Sequence, residues 1–357
     1  MASLMNYVLV LGTAAICIYL IYRMIRKQYP NPKALDPTTN LPYNDKANIA
    51  QNAELTSVRS VGNGSGITNA SIPDTGSTHL RDFVIKSSFN TAFTGKYMNL
   101  GMVKYVISRG CRFLDFEVYV KDGYPIVAYT SAISDPSYTN FTSSGPAVSL
   151  SGVFSTIMTN AFSDTAPNAK DPLFVQLRIK INLKDAFDTI AQTIVSGLGN
   201  KLYKGRVTGD TLLENLFGKV IVIVDKTTSP GYANYSSCTQ GDVSCFALKD
   251  YVNMESGGEY LRTYRENELM NQTTNPPDPN VYILRTVQPN LGFFYGVNNC
   301  DSLYLVQNYG AQIICQAFYY NDAKLAVYED LFKTYHSAFV PIPSVLDYIN
   351  SRGTGTA

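Results

Sequence analysis

What most constrains this chain is a rhythm. From about Leu80 onward, short apolar runs with the two-residue period of a strand alternate with longer runs of helical spacing. DFVIKSS reads as a strand. MVKYVIS has helical spacing and stops at Arg109-Gly110. FLDFEVYV alternates strictly, with Phe113, Asp115, Glu117 and Tyr119 on one face and Leu114, Phe116, Val118 and Val120 on the other. PIVAYTS is a short strand, and VSLSGVFSTIMTNAF suits a helix. LFVQLRIKIN is a strand, followed by a helix around LKDAFDTIAQTIVSGLG. GKVIVIVDK is a buried strand. Gly, Asn, Ser and Pro break the rhythm between about 227 and 279, and VYILRTV and AQIICQAFYY restore it as strands. Alternation sustained this long predicts an α/β fold built as a parallel barrel with a mid-chain insertion.

Residues 1–22 carry no charged side chain, and Arg23, Arg26 and Lys27 follow at once. The stretch approaches the ~20 apolar residues that cross a bilayer as a helix. A cleaved signal peptide places its basic residues ahead of the apolar run and ends in a small-residue site. Here the basic cluster comes after and no such site follows, so the segment 4–25 reads as an uncleaved, single-pass membrane anchor. Positive residues stay on the cytoplasmic side, which puts the main domain on the cytosolic side. Five Asn-x-Ser/Thr sequons, at Asn63, Asn69, Asn140, Asn234 and Asn271, argue weakly the other way. Residues 29–78 are rich in Pro, Asn, Gly, Ser and Thr and read as a linker, extended or disordered. The barrel follows at 80–347, with a first half at 80–226, the insertion at 227–279 and a second half at 280–347; 348–357 is a tail.

Charge and composition exclude several functions. With 29 basic and 28 acidic residues, the net charge of +1 gives no reason to expect nucleic acid. The chain has only two His, His79 and His336, and a hydrolase needs a proton carrier near neutral pH. Both read as surface or structural residues. Cys17, Cys111, Cys238, Cys245, Cys300 and Cys315 show no zinc spacing and no disulfide framework, which favours reduced thiols; a loop closed by Cys238 and Cys245 stays open as an alternative.

The stretch FVIKSSFNTAFTGKYMNLGMVKYVISRGCRFLDFEVYVKDGYPIV resembles the opening half of the catalytic domain of phosphoinositide-specific phospholipase C. There the pattern is a strand ending Ser-Ser-His-Asn-Thr-Tyr, a helix ending Arg-Gly-Cys-Arg, then Leu-Glu-Leu-Asp and a turn leading to Pro-Val-Ile-Tyr-His. LENLFGKVIVIVDK and QNYGAQIICQAFYYNDAKLAVYEDLF are similar to later segments of the family, and SAFVPIPSVL to the segment that closes its barrel. The resemblance implies a distorted TIM barrel. It also implies calcium-assisted attack of an inositol hydroxyl on a phosphodiester, with two His, an oxygen-rich calcium site and basic residues for the ring phosphates.

This sequence departs from that pattern at several of these points. Phe89 stands at the first His, and Tyr129 or Ser131 at the second. Of the calcium ligands, Asn90, Asp115 and Glu117 match, but Arg178 replaces the third acid. A guanidinium there would pair with Asp115 or Glu117 in place of the metal. No cofactor is expected, calcium being retained only if this vestigial site still binds it. Of the phosphate-binding positions, Ile223, Asp225 and Lys226 leave one basic residue, and Arg285 matches the family's arginine with a one-residue ambiguity.

The expectation is a membrane-anchored, non-catalytic phospholipase C-like barrel acting as a structural or binding scaffold with protein partners. One setting for it is the virion of a large DNA virus, linking an internal membrane to the capsid. Two alternatives stand beside it: a residual metal-dependent phosphodiesterase using Asp115 and Glu117, and a lipid-headgroup receptor with Arg178, Lys226 and Arg285 around the mouth.

Overall fold

The computed structural model describes residues 16, 19, 45–59, 65–70, 78–129, 147–181, 183–234, 246–271, 283–290 and 297–353. Its strands in chain order are β1 (Phe83–Ser88), β2 (Phe113–Lys121), β3 (Tyr124–Val127), β4 (Val148–Ser149), β5 (Leu173–Ile179), β6 (Val220–Asp225), β7 (Met254–Ser256), β8 (Leu261–Arg265), β9 (Leu284–Gln288), β10 (Ile313–Gln316) and β11 (Phe339–Pro341). Strands β1, β2, β5, β6, β7, β8, β9 and β10 pair in parallel, and β1 pairs with both β2 and β10, which closes the barrel. Strands β3 and β4 extend β2 as an antiparallel flap, and β11 pairs antiparallel with β1.

The barrel buries its strands on both faces, which is why β1, β5 and β6 are buried at every position. Between β1 and β2 the helix Leu100–Ser108 buries Met102, Val103, Val106 and Ile107. Asn99 caps its start by accepting from Gly101 N at 2.7 Å. The helices Leu150–Ala161 and Lys184–Leu198 cover the next strands with their apolar faces.

Three boundaries differ from the sequence reading. The stretch 29–78 is not extended throughout: Asp45–Arg59 is a helix, and Leu55 is buried against the barrel. Its few apolar residues masked a helix that is held by local contacts rather than by a wide apolar stripe. The stretch 227–279 is not merely an insertion, because β7 and β8 lie within it and complete the barrel. The stretch 348–357 is helical up to residue 353, as part of Ile342–Gly353, and Tyr348 donates to Asp330 Oδ2 at 2.6 Å.

The predicted anchor lies outside the described residues, Ile16 and Tyr19 excepted. Among the described residues no helix is long and apolar enough to cross a membrane. Cys111, Cys300 and Cys315 are buried free thiols; Cys17, Cys238 and Cys245 lie outside the described residues.

Candidate functional site at the barrel mouth

The C-terminal ends of the parallel strands form the mouth, where β/α barrels assemble their sites. Strand β1 ends at Ser88, and the chain turns through Phe89 and Asn90. Asn90 has φ 44°, a left-handed conformation that Asn tolerates better than most residues. Neighbouring polar groups hold the turn onto β2. Asn90 N donates to Asp115 Oδ2 at 3.0 Å and Thr91 N to Asp115 O at 2.8 Å. The hydroxyls of Ser88 and Thr91 are 2.6 Å apart, and Asp115 N donates to Thr91 Oγ1 at 2.9 Å. Ser88, Asn90 and Thr91 are thus the fasteners of the turn.

The register of β2 on β5 sets Asp115 opposite Gln176 and Glu117 opposite Arg178. Arg178 is 2% exposed. Its Nε donates to Asp115 Oδ1 at 2.9 Å and its Nη2 to Asp115 Oδ2 at 3.0 Å, a bidentate pair. Nη2 also donates to Asn90 Oδ1, and Nη1 lies 3.7 Å from Glu117 Oε2. Burial opposes the charge on Arg178, but Asp115 and then Glu117 outweigh it and hold the guanidinium protonated, above its ordinary pKa. Gln176 Nε2 donates to Asp115 Oδ1 at 3.0 Å. Tyr119 donates to Glu117 Oε1 at 2.9 Å, with Lys180 Nζ 3.6 Å from the same oxygen.

A hard cation at this place, such as the calcium that the resemblance implies, would need these same oxygens. One buried guanidinium already engages Asn90 Oδ1, both oxygens of Asp115 and the edge of Glu117. The oxygens that a metal would need are thus engaged by the guanidinium. Among the described residues no three His, Cys, Asp or Glu side chains are placed to hold a metal.

Phe89 is 1% exposed. The guanidinium carbons of Arg178 and Arg265 lie 4.9 Å and 5.6 Å from its ring centre, so two cations flank one aromatic ring. Tyr129 packs on Phe93, with centroids 4.7 Å apart, and Tyr319 meets Phe93 from another side at 4.9 Å. Ser131 lies outside the described residues. Neither histidine is here: His79 sits ahead of β1 beside Asp82, and His336 Nδ1 bonds Gly66 O at 2.8 Å.

A cavity of about 240 Å³ remains at the mouth, lined among others by Arg178, Lys180, Asp225, Arg265 and Gln288. Burial lowers the pKa of Lys180 against the pull of Glu117. Burial and then the charge of Arg178 lower that of Arg265. Burial raises that of Asp225, with a hydrogen bond from Thr227 opposing it. Gln288 Nε2 is buried without a partner among the described residues. A larger cavity of 330 Å³, beside Arg206 and Tyr260, shares none of these groups.

The two expected phosphate ligands stand apart from this cluster. Lys226 Nζ pairs with Glu255 Oε2 at 3.2 Å. Arg285 is three residues from Gln288 on β9 and so faces the other way, donating to Tyr309 O at 3.0 Å. The mouth instead gathers Lys180 and Arg265. Lys180 was legible as the second residue past Arg178 on the same face; Arg265 was hidden in the stretch read as an insertion.

The sequence over 77–226 matches the family model described as phosphatidylinositol-specific phospholipase C, X domain. Among solved structures, PLC21 of L. pealei is 17% identical with a TM-score of 0.57, over 74% of this chain and 37% of that one. PLC21 of S. officinalis is likewise 17% identical with a TM-score of 0.57, over 75% of this chain and 37% of its own. The chain thus corresponds to little more than a third of those proteins' length, and at this identity the likeness is one of fold. A comparison with curated protein sequences gives no match. Residues 77–226 are thus similar to the X domain of the phosphatidylinositol-specific phospholipase C family.

Proposed function

We propose that this chain is a non-catalytic member of that family, a membrane-attached barrel that serves as a structural or binding scaffold. One observation carries the reading: Arg178 engages both oxygens of Asp115 and Oδ1 of Asn90 beside the ring of Phe89. Hydrolysis of a phosphodiester needs a group that moves a proton and a charge that stabilises the transition state. Phe89 cannot move a proton, and the charge of Arg178 is neutralised where it sits. Full-length chain incubated with phosphoinositide vesicles and calcium should release no inositol phosphate, and calorimetry should find no calcium uptake. Turnover that Asp115→Asn abolishes would overturn the proposal.

The scaffold reading keeps the apolar segment 4–25 as its attachment, supported by the absence of charge over residues 1–22 and by Arg23, Arg26 and Lys27 at its end. Protease protection of the barrel in sealed membranes tests the cytosolic orientation. A virion of a large DNA virus, with the barrel between membrane and capsid, is a setting for such a part; crosslinking of the intact protein would identify shell proteins beside it.

A second reading rests on the mouth cavity. Lys180 and Arg265 face it beside Gln288, whose Nε2 has no partner among the described residues, which suits the anionic headgroup of a lipid. A chain lacking residues 1–28 should then bind anionic vesicles over phosphatidylcholine vesicles, and Arg265→Ala should weaken that binding.

A further inference from the structure

The helix Asp45–Arg59 has no part in the barrel's pairing, yet it docks at the mouth. Leu55, 7% exposed, packs over the start of the helix Leu100–Ser108, next to Gly101. Arg59 Nη2 donates to Gly101 O at 2.8 Å. Glu54 reaches the turn 91–99 that follows Asn90. Its Oε1 lies 3.1 Å from where a Cβ on Gly95 would stand, so a side chain there would push Glu54 back by a few tenths of an ångström. Across Gly95 is Tyr319, which with Phe93 and Tyr129 forms an aromatic lid close to Arg178.

Glu54 is an unusual residue to place there. Thr94 and the Lys96 backbone bond it, and Lys96 and Tyr97 are the charged or titratable groups of the turn that act on it. Tyr319 faces it across Gly95, and on its own helix Arg59 is committed to Gly101 O and acts on Tyr105. Its Oε2 is buried with no partner among the described residues. Such a carboxyl is costly to keep ionised.

We propose that the helix Asp45–Arg59 is a pH-sensitive latch: with Glu54 protonated it holds the turn 91–99 down on the aromatic lid, and ionisation of Glu54 releases the turn and opens the mouth. Burial raises the Glu54 pKa from 4.5 to about 7, against Lys96 and the hydrogen bonds. The docked state therefore binds the proton more tightly than the free one. Docking is strongest below 4.5, weakens as pH rises toward about 7, and changes no further above it. The latch acts whether or not the mouth is catalytic.

Hydrogen–deuterium exchange of the full-length chain, corrected for intrinsic rate, tests this at about pH 5 and about pH 8. Amides of 52–59 and 91–99 should lose on the order of tenfold in protection, a value reduced by the half-exposed setting of Glu54. Those of β5 should keep theirs. In Glu54→Gln, a neutral isostere, the latch should stay protected at both values. The proposal is overturned by a wild type with equal protection at the two, by a loss that persists in Glu54→Gln, or by a loss that β5 shares.

Discussion

The guanidinium carbon of Arg178 lies 4.9 Å from the centre of the Phe89 ring. Two positions far apart in the sequence, each departing from the family pattern, thus meet as one interaction. An imidazole at position 89 beside Arg178 would be repelled when protonated; a phenyl ring attracts the same cation, by about 0.5–2 kcal/mol. The aromatic substitution makes the arginine easier to keep, and the arginine occupies the oxygens that a metal would use.

Removing Arg178 should therefore be costly. Asp115 is fully buried and Glu117 nearly so, and both would lose the cation. Arg178→Met should lower unfolding free energy by about 3–5 kcal/mol, the usual loss when half of a buried pair is deleted. Arg178→Met with Asp115→Asn should recover part of it. Urea denaturation of the two variants beside wild type measures the difference.

Phe89→His alone should not create an enzyme. The new imidazole would stand between Arg178 and Arg265, whose charges push its pKa down and leave it neutral near pH 7. It could not serve as a general acid, and Asp115 would still be engaged by Arg178. Inositol phosphate release should stay at the background of wild type. Calcium-dependent release in this variant would show that the oxygens around Arg178 remain available.

The strand β2 shows why this much of the site is legible in the sequence. FLDFEVYV alternates, so its two carboxylates must share a face, and LFVQLRIKIN carries Gln176, Arg178 and Lys180 with the same period. Parallel pairing then brings like-facing residues together. Arg265 escapes the same logic. Strand β8 turns Thr263 and Arg265 toward the polar mouth: Thr263 meets Ser256 and Arg265 lies over Phe89. It therefore lacks an apolar alternation. β7 is only three residues long, and the two are joined by the short stretch 257–260 with no helix between them. Polar strands at a site mimic loops, which is how 227–279 came to read as an insertion. The helix Asp45–Arg59 was hidden for another reason: its contacts are single residues placed against glycines and a backbone carbonyl, and no periodicity announces them.

Asp171 should give the fold a measurable pH dependence. It accepts Ala70 N at 2.8 Å and Asn168 Nδ2 at 3.1 Å. Burial nevertheless raises its pKa from 3.8 to about 6, with Arg112 and these bonds opposing. An acid whose pKa is higher folded than unfolded favours the folded state at low pH. Its contribution is full below 3.8 and is lost as pH rises toward about 6. Asp171→Asn should remove that loss, changing the stability difference between about pH 4 and pH 7 by about 1–3 kcal/mol relative to wild type. Denaturant midpoints of both proteins at the two values check it.

Gly110 should tolerate no side chain, for two separable reasons. Its φ is 81°, in the left-handed region that costs an L residue about 1–2 kcal/mol. A Cβ there would also stand 2.7 Å from Ile67 Cγ1. Ile67 is 4% exposed and belongs to the segment 65–70, which Thr68 N ties to His336 O at 2.9 Å and Ala70 N ties to Asp171. Gly110→Ala must strain its own turn and also displace that segment. Ile67→Ala makes room but leaves a cavity, at about 2–4 kcal/mol. The two changes should therefore be less than additive: the double variant should lose less than the sum of the singles, by about 0.5–2 kcal/mol. Strict additivity in urea unfolding would mean that the strain lies in the backbone of Gly110 alone and that the 65–70 segment is not pressed against it.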